Sequence, residues 1–82
     1  MKEFIFYYFM KDEKELIQKS VPKHASYWHN LKLSGGPFND FSGGFVCFHA
    51  KNQQDAQSIV NSDPFVIDNL LSQQWIKEWL NK

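Results

Sequence analysis

The chain has 82 residues, with nine lysines, no arginine and nine acidic residues, so its formal charge is zero. That balance argues against a dedicated nucleic-acid binder, which needs excess cations to neutralise phosphates. Without arginine there is no bidentate guanidinium clamp for a carboxylate or phosphate. The single cysteine, Cys47, excludes an internal disulfide and an all-cysteine zinc site. The length suits one small domain over residues 1–82, held by its core alone or completed by a partner.

The first apolar run, Phe4 to Met10, is seven residues long and aromatic, and charged residues from Lys11 to Lys14 follow it with no small-residue cleavage site. It is too short to cross a bilayer and unlike a secretory leader, so a soluble, cytoplasmic chain with no membrane partner is expected. Residues 3–10 are aromatic and β-branched without Gly or Pro, and read as a strand. Alternation places Phe4, Phe6, Tyr8 and Met10 on one side and Ile5, Tyr7 and Phe9 on the other. Both sides are apolar, whereas a half-solvated antiparallel strand is polar on one of them. The strand therefore calls for cover on both faces.

Leu16, Ile17, Val21, His24, Tyr27/Trp28 and Leu31 recur at helical spacing. Pro22 interrupts the stripe, which predicts a short helix, a break, and a second helix starting near Pro22. Residues 34–38 and 44–50 flank a polar loop and predict a hairpin. Ser-Gly-Gly occurs at 34–36 and again at 42–44, which reads as turn and bulge chemistry.

Residues 53–62 predict a helix capped by Asn52. Asp63-Pro64 then reads as the cap and first position of a short helix over 64–71. Asp63 continues the apolar face of Ala56, Ile59 and Val60, so it points inward, where a carboxylate needs a partner. At the C-terminus, Ile67, Leu71, Trp75 and Trp79 are spaced by four, and this periodicity slightly favours a helix, although residues 74–80 also alternate as a strand. With a final strand the order is β-α-β-β-α-β, the ferredoxin-like split unit of the α+β class.

His24-Ala-Ser-Tyr27-Trp28, Gly36-Pro37-Phe38, Ser42-Gly43-Gly44, Asp63-Pro64-Phe65 and the tail Trp75-Ile76-Lys77-Glu78-Trp79 occur in an order that resembles the YCII-related family. The resemblance covers nearly the whole chain. It implies a ferredoxin-like sandwich with an antiparallel four-stranded sheet, and a homodimer built sheet to sheet as a dimeric α/β barrel. It also makes the C-terminal segment the fourth strand. Family members share an early histidine and an aspartate before a proline, proposed to pair in a cleft, and His24 and Asp63 match those positions. Many members carry an arginine three residues before the histidine, where this chain has Val21.

An imidazole suits acid–base work because it titrates near neutral pH, and a carboxylate beside it fixes its tautomer. His24 and Asp63 are thus the candidate catalytic pair. The plain structural alternatives are a core-edge histidine and an ordinary helix cap. Tyr27, Trp28, Phe38 and Phe65 are candidates to wall an apolar pocket for a flat ring, and Gly36 and Pro37 to bring backbone close to a ligand. Cys47 reads as a small core residue. His24 and His29, five apart, are not expected to face one another. No zinc-binding spacing occurs, so neither a metal nor another cofactor is expected. The expected function is proton transfer, of elimination or isomerisation type, on a small cyclic or carbonyl compound. The alternative is a non-catalytic small-molecule-binding dimer that lacks the family's arginine.

Overall fold

The computed structural model describes residues 1–31 and 33–80. The elements in chain order are β1 (Lys2–Met10), α1 (Lys14–Asn30), β2 (Ser34–Pro37), β3 (Gly43–Ala50), α2 (Gln53–Asn61), α3 (Pro64–Ile67) and β4 (Leu71–Glu78). The strands form one antiparallel sheet in the order β2-β3-β1-β4. This is the ferredoxin-like α+β arrangement, with β1 and β3 in the middle and the helices on one side.

The two faces of the sheet follow from strand alternation. Phe4, Phe6 and Tyr8 of β1 and Val46, Phe48 and Ala50 of β3 are buried beneath the helices. They meet Trp28 of α1, Ala56 and Val60 of α2, and Phe65 and Leu70 around α3. Removing a phenylalanine side chain such as Phe6 from water contributes about 1.5–3 kcal/mol, and these rings also pack on one another; Phe6 and Trp28 lie 5.9 Å apart. Among the described residues no helix lies over the opposite face. Tyr7 faces Phe45 on one side and Trp75 on the other. Tyr7 and Trp75 stack at 5.0 Å, and Phe9 packs on Phe38 at 5.6 Å.

The C-terminal segment is a strand, as the family resemblance implied, and it begins earlier than residue 74. A register shift between Phe9 and Met10 lets β4 start at Leu71, with the Ser72 hydroxyl donating to the Phe9 carbonyl at 3.1 Å. The preceding helix is correspondingly shorter than 64–71. Asn69, at φ 56, ends it in the left-handed region that asparagine tolerates, and the Leu70 amide closes back on the Phe65 carbonyl at 3.0 Å. Asn52 caps α2 as expected, accepting from the Asp55 amide at 2.8 Å.

Pro22 does not break α1, contrary to the sequence expectation: one helix runs through it from Lys14 to Asn30. Proline removes one helical donor, but Pro22 and Gln18 one turn before it are both exposed residues, on the side of the helix where water can meet that cost. Buried contacts on either side hold the helix down: Ser20, which donates to Asp68 beside α3 at 3.1 Å, and Trp28 in the core. Cys47 also differs from expectation. Its neighbours Val46 and Phe48 take the inward positions, so Cys47 lies partly exposed on the uncovered sheet face.

Pro22→Ala restores the missing helical hydrogen bond at an exposed site. It should stabilise the fold by about 1–3 kcal/mol, read as a higher denaturant midpoint; a lower midpoint would mean that the proline is required for the helix path.

Candidate functional site

The site forms where α1, the C-terminal half of β1 and the start of α3 meet. Asp63 ends the turn after α2 and caps α3, its Oδ1 accepting from the Phe65 amide at 2.9 Å. The inward direction read from its sequence position holds, since the residue is fully buried. A buried carboxylate is tolerated only when its oxygens are well supplied with donors. Oδ1 also takes the His24 Nδ1 hydrogen at 2.7 Å, and Oδ2 takes that of Trp28 Nε1 at 2.9 Å. Two helical residues four apart thus converge on one acceptor, as helical spacing allows.

With the carboxylate accepting from Nδ1–H, the neutral imidazole keeps its lone pair on Nε2. The Tyr8 hydroxyl is 3.1 Å from that nitrogen and donates to it. The Phe65 ring stacks on the imidazole at 3.8 Å and 9°. His24 is therefore gripped at both nitrogens and on one face, with 14% of its side chain still exposed. Burial, reinforced by the Asp63 charge, pushes the Tyr8 phenol well above its ordinary range. Tyr8 is consequently a hydrogen-bond donor at working pH and not a phenolate.

Glycine makes this geometry possible at one position in particular. A Cβ on Gly44 would fall 2.8 Å from the Tyr8 hydroxyl and 2.7 Å from the Gly36 carbonyl. Its absence leaves the phenol room to reach His24 while β2 packs against β3.

Tyr8, His24, Trp28 and Phe65 border a cavity of about 470 Å³. On α1 the wall continues through Ile17, Val21, Ala25 and His29; β2 adds the backbone from Ser34 to Pro37; Met10 and Phe41 stand at the hairpin end. The volume suits a small organic molecule. None of the described lining residues is Lys, Arg, Asp or Glu. Among the described residues, no group of three His, Cys, Asp or Glu side chains is placed to hold a metal ion. No described helix is long and apolar enough to cross a membrane.

Of the residues picked out from the sequence, His24, Trp28, Gly36, Pro37 and Phe65 line the cavity, and Asp63 lies directly behind His24. Two are elsewhere. Tyr27 turns toward α2 and donates to the Ile59 carbonyl, while Phe38 packs on Phe9 on the other side of the sheet. His29 borders the cavity as well, further round the broad helical stripe that carries His24. Sequence reasoning passed over Tyr8, although a signal was present. In the buried stripe of β1 it carries the one hydroxyl among Phe4, Phe6 and Met10, and a buried phenol needs a partner. Phe41 carried no such signal, because it falls in a polar loop.

A family model, the YCII-related domain, matches residues 1–80. The fold is similar to a solved structure of a 5-chloro-2-hydroxyhydroquinone dehydrochlorinase from Burkholderia phenoliruptrix, in complex with 2,5-dihydroxybenzoquinone, with a TM-score of 0.86 and 22% identity over 98% of this chain and 95% of that one. No curated protein matches the sequence. Matched over nearly its whole length, with the fold and residue order that the family pattern implied, the chain belongs to the YCII-related domain family.

Proposed function

We propose that the protein catalyses proton transfer on a small cyclic or carbonyl-bearing compound, in an elimination or isomerisation. The observation that carries this reading is the hydrogen-bonded line Tyr8–His24–Asp63 bordering an apolar cavity. The fold's likeness to a dehydrochlorinase supports small-molecule chemistry as the class, without assigning the substrate.

In this mechanism the His24 Nε2 lone pair takes a proton from a substrate carbon. Asp63, hydrogen-bonded to Nδ1, stabilises the imidazolium that forms. The electron pair of the broken C–H bond moves into the new double bond. In an elimination the leaving group departs with its own bonding pair; in an isomerisation His24 returns the proton to a different carbon. The Tyr8 hydroxyl, which donates to Nε2 in the resting site, turns to the substrate oxygen on which charge develops and so releases the Nε2 lone pair for the proton. Trp28, Phe65, Gly36 and Pro37 shape the cavity around the ring, whereas Tyr27 supports α1 against α2 and Phe38 belongs to the uncovered sheet face. Proton transfer and heterolytic loss of a leaving group need no external oxidant or reductant, so the proposed reaction calls on no cofactor.

A second reading, binding without turnover, is favoured by one feature. Val21 borders the cavity where many relatives have arginine, and no described lining residue supplies a fixed cation to hold an anionic substrate.

The uncovered sheet face supports a second copy of the chain as partner. Phe45, Trp75 and Trp79 are each well exposed there, beside Ile5, Tyr7 and Phe9. A flat apolar surface of this kind marks an interaction site, and pairing two such faces buries the aromatics of both chains. In the assembly we propose, a cytoplasmic homodimer, the cavity stays on the helix side of each sheet.

The catalytic reading predicts that the wild-type protein releases halide from, or incorporates solvent deuterium into, at least one member of a panel of chlorinated hydroquinones and cyclic ketones. His24→Ala should lower that rate about 100-fold or more, and Asp63→Asn should lower it as well. Tyr8→Phe should reduce kcat and leave KM nearly unchanged, because its hydrogen bond strengthens as charge develops. Binding of panel members with no conversion would favour the second reading, and full activity in His24→Ala would contradict the first. Sedimentation equilibrium across micromolar dilutions should give twice the 9.7 kDa chain mass; a monomer throughout would overturn the dimer.

A further inference from the structure

Phe41 is placed unlike the other aromatic residues of the chain. It is 78% exposed and its backbone sits at φ 59, in the left-handed region that bulky side chains rarely adopt. The turn that holds it does not use its side chain. The Phe41 amide donates to the Phe38 carbonyl at 2.9 Å, and Asp40 Oδ1 accepts from both the Ser42 amide at 3.0 Å and the Ser42 hydroxyl at 2.6 Å. The Ser42 carbonyl in turn accepts from the Met10 amide at 2.8 Å, tying the loop to the end of β1. Asparagine or glycine would satisfy this backbone with less strain. The ring is outside the core, and among the described residues it stacks on no other ring. What it does is border the cavity that also holds His24.

An aromatic ring kept in water, on a strained backbone, at the rim of a cavity has no role in the fold that these contacts reveal. We propose that Phe41 is a specificity-determining residue: its ring face stacks on a flat, unsaturated ring bound in the cavity and selects it over a saturated ring of the same size. This rests on reading the cavity as the site for a small cyclic compound, and it assigns the selection of a flat ring to Phe41. The physical basis is the aromatic quadrupole. Offset stacking of two π-systems gains attraction beyond the apolar area it covers, and a puckered ring cannot match it.

The test is calorimetric titration of the full chain with phenol and with cyclohexanol, which share a hydroxyl and a ring size and differ in planarity. Wild type should prefer phenol. Phe41→Asn should melt at the same temperature or higher, because the left-handed turn is relieved, yet bind phenol about 3- to 10-fold more weakly with cyclohexanol unchanged. Phe41→Tyr should keep the wild-type preference, and Phe41→Leu, which retains apolar bulk without a π-face, should lose it. A purely structural role would lower the melting temperature of Phe41→Asn and leave the preference alone, and that result overturns the proposal. Equal affinities for the two rings in wild type, or an unchanged preference in Phe41→Leu, overturn it too. The titration needs no turnover. A protein that prefers the flat ring and performs no chemistry would contradict the catalytic reading and leave this one standing.

Discussion

The site depends on one buried carboxylate. Asp63 is removed from water, and such a group is stable only if the fold brings donors to it. Three arrive from two directions: the Phe65 amide from its own helix start, and His24 Nδ1 and Trp28 Nε1 from α1. The same contacts that stabilise Asp63 fix the tilt of α1 over the sheet, set the tautomer of His24, and aim Nε2 at Tyr8 and the cavity. Structure and proposed chemistry are not separable here. A change at Asp63 acts on the helix seat, the cap of α3 and the imidazole together, which is why the more exposed His24 is the cleaner place to interrogate the chemistry.

The two faces of the sheet divide the work. The helix side buries Phe4, Phe6 and Phe48 and, at the end where β2 and α1 diverge, leaves a cavity instead of a packed core. The other side carries aromatic rings at its centre with only their own neighbours as cover. For so small a chain, a core formed by one layer of helices leaves little margin of stability. A second copy on the open face would extend the apolar core without touching the cavity, which lets the proposed dimer and the proposed site vary independently.

Much of this was readable from residues, for identifiable reasons. The inward direction of Asp63 followed from helical spacing with Ala56 and Val60, and the two apolar sides of β1 followed from strict alternation. The C-terminal strand did not follow from periodicity, because the four-residue spacing from Ile67 to Trp79 competes with the alternation of 74–80; pairing with β1 decides it, and pairing is a long-range property that the local pattern does not encode. Pro22 misled because proline's local cost can be met by water on an exposed face while tertiary contacts at Ser20 and Trp28 hold the helix. Tyr8 was missed since its residue type matched its strand so well that its hydroxyl was not followed to a partner. Phe38, expected in the pocket, packs on Phe9 of the open face, whereas Phe41, for which the sequence raised no expectation, borders the cavity from a left-handed turn.

The central claim is that Asp63 holds His24 with its proton on Nδ1, so that Nε2 carries the lone pair that accepts from Tyr8 in the resting site and takes the substrate proton in the proposed reaction. The most direct measurement is the pair of ¹⁵N chemical shifts of the His24 ring at a pH where the imidazole is neutral. The account predicts a protonated, pyrrole-type Nδ1 and a pyridine-type Nε2, the reverse of the tautomer that free histidine favours, with this pattern lost in Asp63→Asn. A protonated Nε2 in the wild-type protein, or spectra unaffected by Asp63→Asn, would contradict it.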